Sequence, residues 1–286
     1  MGPLLSLELL SVLALLAAVL ASALGPAPAD PPGGAPLRPA RVDPNPCITP
    51  FRVGLRCPDL VMRRPHGMYT ESRAGRTLLR AGNSIDSIGR GPAELHGVRI
   101  GPRFMRARQR IYKRAGGRIG VRTGARLQYK LAHLGRRYWK FYNAARFELW
   151  RVDRRGRRTR KVRTGPKVSY CLRDLRRTRP NLRRSPAAPR YPGCDTYPLR
   201  QRVTLGTSTG WSDIYPPAYP EQWINVSGLR GCFAYVHIAD PENRIYESNE
   251  DNNEAQVIVR LPFRAKARRR GCRGADDGRP SFPSPY

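Results

Sequence analysis

The chain has 286 residues, with 53 Lys and Arg against 21 Asp and Glu and a formal net charge of +32. That length accommodates one core of roughly 200 residues with tails, or two smaller domains, and the charge excludes strongly cationic partners while favouring polyanions. Only six of the basic residues are lysines, and the arginines are spread along the chain rather than gathered on one element, a distribution that compositional bias alone can produce and that argues against a nucleic-acid interface.

Residues 4–24 are almost wholly apolar, broken by Glu8 and a few serines, with the small residues Ala21, Ser22 and Ala23 near the end. This reads as an export signal over residues 1–24. No basic residue precedes the apolar run, and its length approaches that of a membrane span, so an uncleaved N-terminal anchor is the alternative and the one route to membrane attachment. Either way the remainder is expected to be secreted or held at the cell surface. Residues 25–56 begin as a Pro, Ala and Gly-rich linker with little to bury. The six cysteines, Cys47, Cys57, Cys171, Cys194, Cys232 and Cys272, are even in number and form no closely spaced pair of the zinc-binding kind; in an exported chain they read as disulfides, with 15 possible connectivities.

From residue 60 onward short β-type runs alternate with turn residues: 60–62, 77–81, 84–87, 93–100 and 108–112. A longer run, 138–152, is followed by a turn at 153–156 and a further run at 157–162, together a hairpin pattern. Residues 168–172 form another run, and residues 173–197, rich in Arg and Pro, predict an irregular loop. Strands are expected at 222–226, 232–239 and 255–261. Between the last two, residues 240–253 are dense in Asp and Asn, whose side chains stabilise tight turns; calcium ligation is the other reading of these acids, and the strict spacing of a calcium loop is missing. Residues 264–286 form a basic, then polar tail. The pattern predicts an all-β sandwich.

Five segments then fall in an order that resembles the lysyl oxidase family over most of residues 57–263. They are Cys57-Pro58-Asp59-Leu60-Val61, Ala145-Arg146-Phe147-Glu148-Leu149, and Gly165-Pro166-Lys167-Val168-Ser169-Tyr170-Cys171-Leu172-Arg173-Asp174. The fourth runs from Gly206 through Gly210 and Asp213 to Tyr215 with Gln222-Trp223-Ile224 after it, and the last is the turn from Glu247 to Asn253. The resemblance implies a disulfide-stabilised, lysyl-oxidase-like β-sandwich with long irregular loops. It implies an exported protein whose family activity is oxidative deamination of lysyl and other primary amines with copper and a lysine tyrosylquinone. By position, Lys167 and Tyr215 are the candidate quinone crosslink. An amine is a competent nucleophile toward an ortho-quinone, and the quinone carbonyl then captures a substrate amine. Together with proximity in sequence, the resemblance suggests Cys47 with Cys57 and Cys171 with Cys194, leaving Cys232 with Cys272.

The metal site departs from the family. Three histidines at alternate strand positions would aim at one ion, but the corresponding places hold Arg136, Tyr138 and Lys140. Guanidinium and ammonium groups have no free lone pair, whereas Cu(II) favours neutral imidazole. Of the four histidines, His66, His96, His133 and His237, His133 has the wrong parity to join that face. The expectation is a catalytically degenerate domain without copper, in which Lys167 and Tyr215 stay unmodified. Arg136 and Lys140 would then face Asp213, Glu148 or an anionic ligand, and the basic surface would meet an anionic extracellular polymer or cell-wall component. The alternative is an active copper and quinone amine oxidase with unconventional ligands; a general adhesion-type sandwich, with Lys167 and Tyr215 far apart, is a third reading.

Overall fold

A computed structural model describes residues 42–131, 135–267 and 270–273. The expected signal, the linker as far as residue 41, His133 and most of the tail lie outside the described residues. The strands, in chain order, are β1 (Leu55–Arg56), β2 (Leu60–Met62), β3 (His66–Arg73), β4 (Arg76–Ser87), β5 (Ala93–Arg99), β6 (Phe104–Lys113), β7 (Arg118–Val121), β8 (Arg126–Leu131) and β9 (Arg137–Tyr142). They continue as β10 (Ala145–Val152), β11 (Arg158–Thr164), β12 (Ser169–Tyr170), β13 (Arg176–Arg177), β14 (Arg202–Thr207), β15 (Trp211–Tyr215), β16 (Trp223–Asn225), β17 (Gly231–Ala239) and β18 (Glu254–Leu261).

These strands make three antiparallel sheets. The largest runs β12-β9-β8-β6-β5-β14, with β1 and β7 also on β6; the second runs β13-β15-β4-β16, with β2 and β3 also on β4; the third runs β11-β10-β17-β18. All three contribute to one core: Leu95, Met105 and Phe141 from the first sheet, Leu79 and Ile85 from the second, and Phe147, Leu149, Phe233 and Tyr235 from the third. Strand β17 is buried on both faces, because Phe233 and Tyr235 enter this core while Ala234 and Val236 pack with Ile258 in a satellite cluster. Its sequence is therefore apolar almost throughout rather than alternating. Strand β11, an outer strand of its sheet, is the reverse: Arg158, Arg160, Lys161 and Arg163 leave it exposed and charged along its length, a composition that discourages edge-to-edge pairing.

The expected run at 138–152 is corrected: it divides into β9 and β10, which belong to different sheets. The break is Asn143, whose φ of 57° lies in the left-handed region, where Asn is among the more tolerant side chains. Conversely, the runs at 77–81 and 84–87 are one continuous strand, β4, because Gly82 and Asn83 between them pair with His66 and Tyr215 and keep the ladder intact. The hairpin at β10 and β11 stands, closed by Asp153, which accepts the backbone N–H groups of Arg155 and Arg157 at 2.8 and 2.9 Å. In the turn before β18, the buried Asp240 accepts N–H bonds from Arg244 and Ile245, and the buried Glu247 accepts from the Leu60 N–H and from Asn253.

Disulfides join Cys47 to Cys57, Cys171 to Cys194 and Cys232 to Cys272, closing loops with sequence separations of 10, 23 and 40. On the chain-entropy account, loops of this size each gain about 3 kcal/mol from closure. The first pins the N-terminal segment onto Ile111 and Val121, the second gathers the irregular segment after β12, and the third fastens the C-terminal stretch to β17.

Phe141 sits where β8, β9 and β12 meet and is 1% exposed. Phe141→Ala is expected to lose about 3–5 kcal/mol in urea unfolding through the cavity it leaves, whereas Val98→Ala, 47% exposed on β5, is expected to change stability by less than about 0.5 kcal/mol.

Candidate functional site

Two turns bring Lys167 to the centre of the molecule. After β11 the chain passes Gly165, where any Cβ would lie 2.7 Å from the Trp223 carbonyl and 3.3 Å from Phe147 Cβ, so only glycine permits this approach. The Gly165 N–H donates to the Phe147 carbonyl, and the Ala144 N–H donates to that of Val168. Lys167 is thus held between β10, β12 and β16 and is 1% exposed.

Its ammonium end faces aromatic rings. Nζ lies 4.6 Å from the ring centroids of Tyr170 and Tyr215 and 4.9 Å from that of Tyr219, within the range in which a cation is attracted to a ring face. The rings brace one another edge-on, Tyr170 against Tyr215 at 4.4 Å and Tyr215 against Tyr219 at 5.0 Å. Hydrogen bonds fix their far ends. The Tyr170 hydroxyl accepts from Asn83 at 2.7 Å, while the Tyr215 hydroxyl accepts from the Cys171 N–H at 3.1 Å and donates to the Cys171 carbonyl at 3.4 Å. Lys167 and Tyr215, 48 residues apart in sequence, therefore meet. Tyr170 and Tyr219 join them, and neither was singled out from sequence. Tyr170 belongs to the Lys167 segment, but nothing about Tyr219, in a Pro-rich loop, signalled its place.

Charge is scarce here and strongly perturbed. Burial, with Lys140 nearby, draws the Lys167 amine down to about 7. Burial likewise draws Lys140, itself 3% exposed, down to about 8, with Glu221 resisting and Lys130 assisting. Asp213, on the same face of β15 as Tyr215, is pushed up to about 8 by burial, against the pull of Arg173, the Tyr215 hydroxyl, Lys167 and Lys140. Among the described residues, neither of its carboxylate oxygens meets a donor in hydrogen-bonding geometry. Glu221 is committed to Lys130 at 2.7 Å. Desolvation disfavours the charged form of each group, so the centre tends toward a neutral amine beside a neutral acid. Chemically, such an amine is a nucleophile, and here it stands over a phenol ring.

The three positions expected to stand in place of the histidines do not act together. Arg136 is exposed ahead of β9, Tyr138 is half-buried, and Lys140 points inward among the groups just described. The expected pairing of Arg136 and Lys140 with Glu148 is corrected: Glu148 accepts from Lys161 at 3.1 Å and from the Trp150 indole at 2.7 Å, and it pairs with Arg146. Of the proposed counter-groups it is Asp213 that acts on Lys140. A guanidinium and an ammonium offer copper no free lone pair, and one phenol does not make a site; among the described residues no group of three or more His, Cys, Asp or Glu side chains is arranged to hold a metal. His96 bonds Thr204 on the first sheet. His237 is fully buried, stacked on Phe147 at 3.8 Å and edge-on to Tyr235, with its imidazole kept neutral by burial. The His237 ring is thus packed as an aromatic, and among the described residues its nitrogens have no hydrogen-bond partner.

These shifts set the sign of two pH effects. Lys167 titrates lower in the folded state than unfolded, so the cost of charging it is present in full below about pH 7 and fades as pH rises toward 10.5. Lys167→Met is therefore expected to raise the melting temperature most at or below pH 7 and progressively less toward pH 10. Asp213 has the opposite course, its cost absent near pH 4 and growing until about pH 8, so the gain from Asp213→Asn is expected to grow over that interval. Thermal unfolding monitored by circular dichroism across pH 4–10 checks both.

No curated protein matches the chain. The sequence profile of the lysyl oxidase family matches residues 104–268, more than half of the 286. The match begins at β6, after the Pro58–Val61 segment, and takes in β9, Lys167, Tyr215 and the turn before β18. With an all-β core, three disulfides and the Lys167 and Tyr215 segments inside that match, the chain belongs to the lysyl oxidase family.

Proposed function

We propose that this protein is an exported member of its family in which amine oxidation has been lost, and that it serves outside the cell as a binding or structural domain for an anionic polymer. The observation that carries this reading is Lys140. It occupies a place where the family has a metal ligand, and it supplies a buried amine next to Lys167 rather than an imidazole. Lys140 depresses the affinity of Lys167 for protons, and a divalent cation beside the two amines would meet the same repulsion whenever either is charged. Lys167, at 1% exposure, is also closed to an incoming substrate amine in this conformation. The three tyrosines then serve as packing for a lysine retained by descent. Export is supported by the apolar N-terminal run, the disulfides and the extracellular character of the family, and the polymer-binding role by the net charge of +32.

The second reading, an active amine oxidase with unconventional ligands, is favoured by one specific observation: Lys167 Nζ lies 4.6 Å from the Tyr215 ring centroid, close enough for a crosslink to form with modest movement. One experiment separates the two. Purified protein is incubated aerobically with Cu(II), then examined by intact mass, peptide mapping and quinone staining, and supplied with an alkylamine while hydrogen peroxide is followed. Unmodified Lys167 and Tyr215 peptides and no peroxide above the copper-free control are expected. A peptide joining Lys167 to Tyr215, or amine-dependent peroxide, would establish the second reading.

A further inference from the structure

A cleft of about 310 Å³ opens between β1, the turn before β5 and the irregular segment after β12, and four arginines line it: Arg56, Arg90, Arg184 and Arg190. None of its lining residues belongs to the Lys167 cluster. A second cleft, of about 500 Å³, shares Arg90 and adds Arg52 and Arg114. The chain approaches itself closely here, since a Cβ on Gly91 would lie 2.1 Å from the Arg56 carbonyl oxygen, so the floor between Arg56 and Arg90 is backbone.

Six guanidinium groups in so small a region would ordinarily be interleaved with carboxylates. Among the described residues, none of the six takes part in an ion pair. The two carboxylates bonded to lining residues are already committed. Glu94 accepts from Arg110, Tyr112 and Tyr191, and Asp174 accepts from Ser208 and from the backbone N–H groups of Arg190 and Tyr191. The hydroxyls are committed too, Ser185 to Arg177 and Thr209 to the Gly89 carbonyl. Arg56 spends one N–H on the Arg114 carbonyl, and its Nε is buried without an acceptor among the described residues. Arg184 is held at a φ of 77°, a conformation uncommon for a long side chain and of the kind that collects at ligand sites. Its guanidinium is held below the ordinary range first by Arg56, then by desolvation, Arg183 and Arg114, and none of these influences is a carboxylate.

Unpaired guanidinium forks match the oxygens of phosphate two at a time, and a phosphate group carries more charge to set against such crowding than a carboxylate does. We propose that the two clefts form one binding site for a chain of linked phosphate groups, with an oxyanion in each cleft and Arg90 shared between them. The proposal deepens the reading of this protein as an extracellular anion-binding domain and rests on it.

Calorimetric titration of the full exported chain with sodium tripolyphosphate and with long-chain polyphosphate tests the site. Arg90→Gln with Arg184→Gln alters two exposed arginines of the clefts, and Arg160→Gln with Arg163→Gln removes the same charge from the exposed strand β11. The expected result is a loss of about tenfold or more in affinity for tripolyphosphate in the first variant and less than about twofold in the second, with circular dichroism confirming that both are folded. Equal losses in the two variants, or none in the first, overturn the site while leaving general polymer binding standing. Failure of the unaltered protein to bind either probe overturns the binding-domain reading with it. Dextran sulfate binding as tightly as long-chain polyphosphate, with the same dependence on Arg90 and Arg184, overturns the assignment to phosphate in favour of sulfate esters.

Discussion

An ammonium group loses most of its hydration at the position of Lys167, and much of the centre of the molecule is arranged around that loss. Three tyrosine rings supply the face-on contacts that a desolvated cation can use, Asp213 stands nearby with no donor to its carboxylate among the described residues, and Lys140 adds a second buried amine. Burial favours the neutral form of all three titratable groups. A carboxylate and an amine can therefore share the interior without forming the ion pair that their formal charges suggest. The same desolvation that disfavours a charged lysine also disfavours a metal ion without anionic or imidazole ligands.

That centre exists because three sheets converge. Lys167 arrives beside β12 in the first, Tyr215 on β15 in the second, and Phe147 and Tyr235 lie beneath them on β10 and β17 of the third. The Cys171–Cys194 bridge begins at the residue whose backbone holds the Tyr215 hydroxyl from both sides. It thus ties the irregular segment carrying Arg184 and Arg190 to the strand that positions the tyrosine. Around Lys167 the interior keeps a few perturbed groups close to neutrality, elsewhere buried carboxylates such as Asp86, Glu94 and Glu148 are paired with arginine or lysine, and further arginines crowd at the surface. Part of that surface, β11, resembles ordinary charged edge protection, and part of it, around Arg56 and Arg90, is concave and has no ion-paired carboxylate among the described residues.

Local patterns made the last third of the chain the most legible. Residues 232–239 and 255–261 are continuous apolar or alternating runs bounded by Gly and Asn, and the structure places β17 and β18 over them to within a residue at each end. The Asp153 turn and the hairpin it closes were legible for the same reason, since the side-chain hydrogen bonds are local. The sequence runs do not mark β1, β3, β7, β8, β13, β14 or β15. In β3, Gly67, Thr70, Glu71 and Ser72 show no apolar alternation because most of the strand is exposed, and it is strand only because β4 offers it a partner. Asn143 concealed the opposite error, as a single left-handed residue divides what composition presents as one run.

The amino-acid sequence by itself determined the all-β class, the family segments in their order, the absence of histidine at Arg136, Tyr138 and Lys140, and the excess of arginine. Each of these is written in residue identity, in short-range alternation or in composition. Only the tertiary structure decided that Lys140 turns inward while Arg136 stays in solvent, that Tyr170 and Tyr219 complete the surroundings of Lys167, that Glu148 serves Lys161, Trp150 and Arg146, and that six arginines from distant segments share two clefts. The physical reason is common to all four. Desolvation, ring contacts and charge crowding act through distances of a few ångströms, and those distances are set by which strands pair and how sheets pack, across separations of tens to more than a hundred residues.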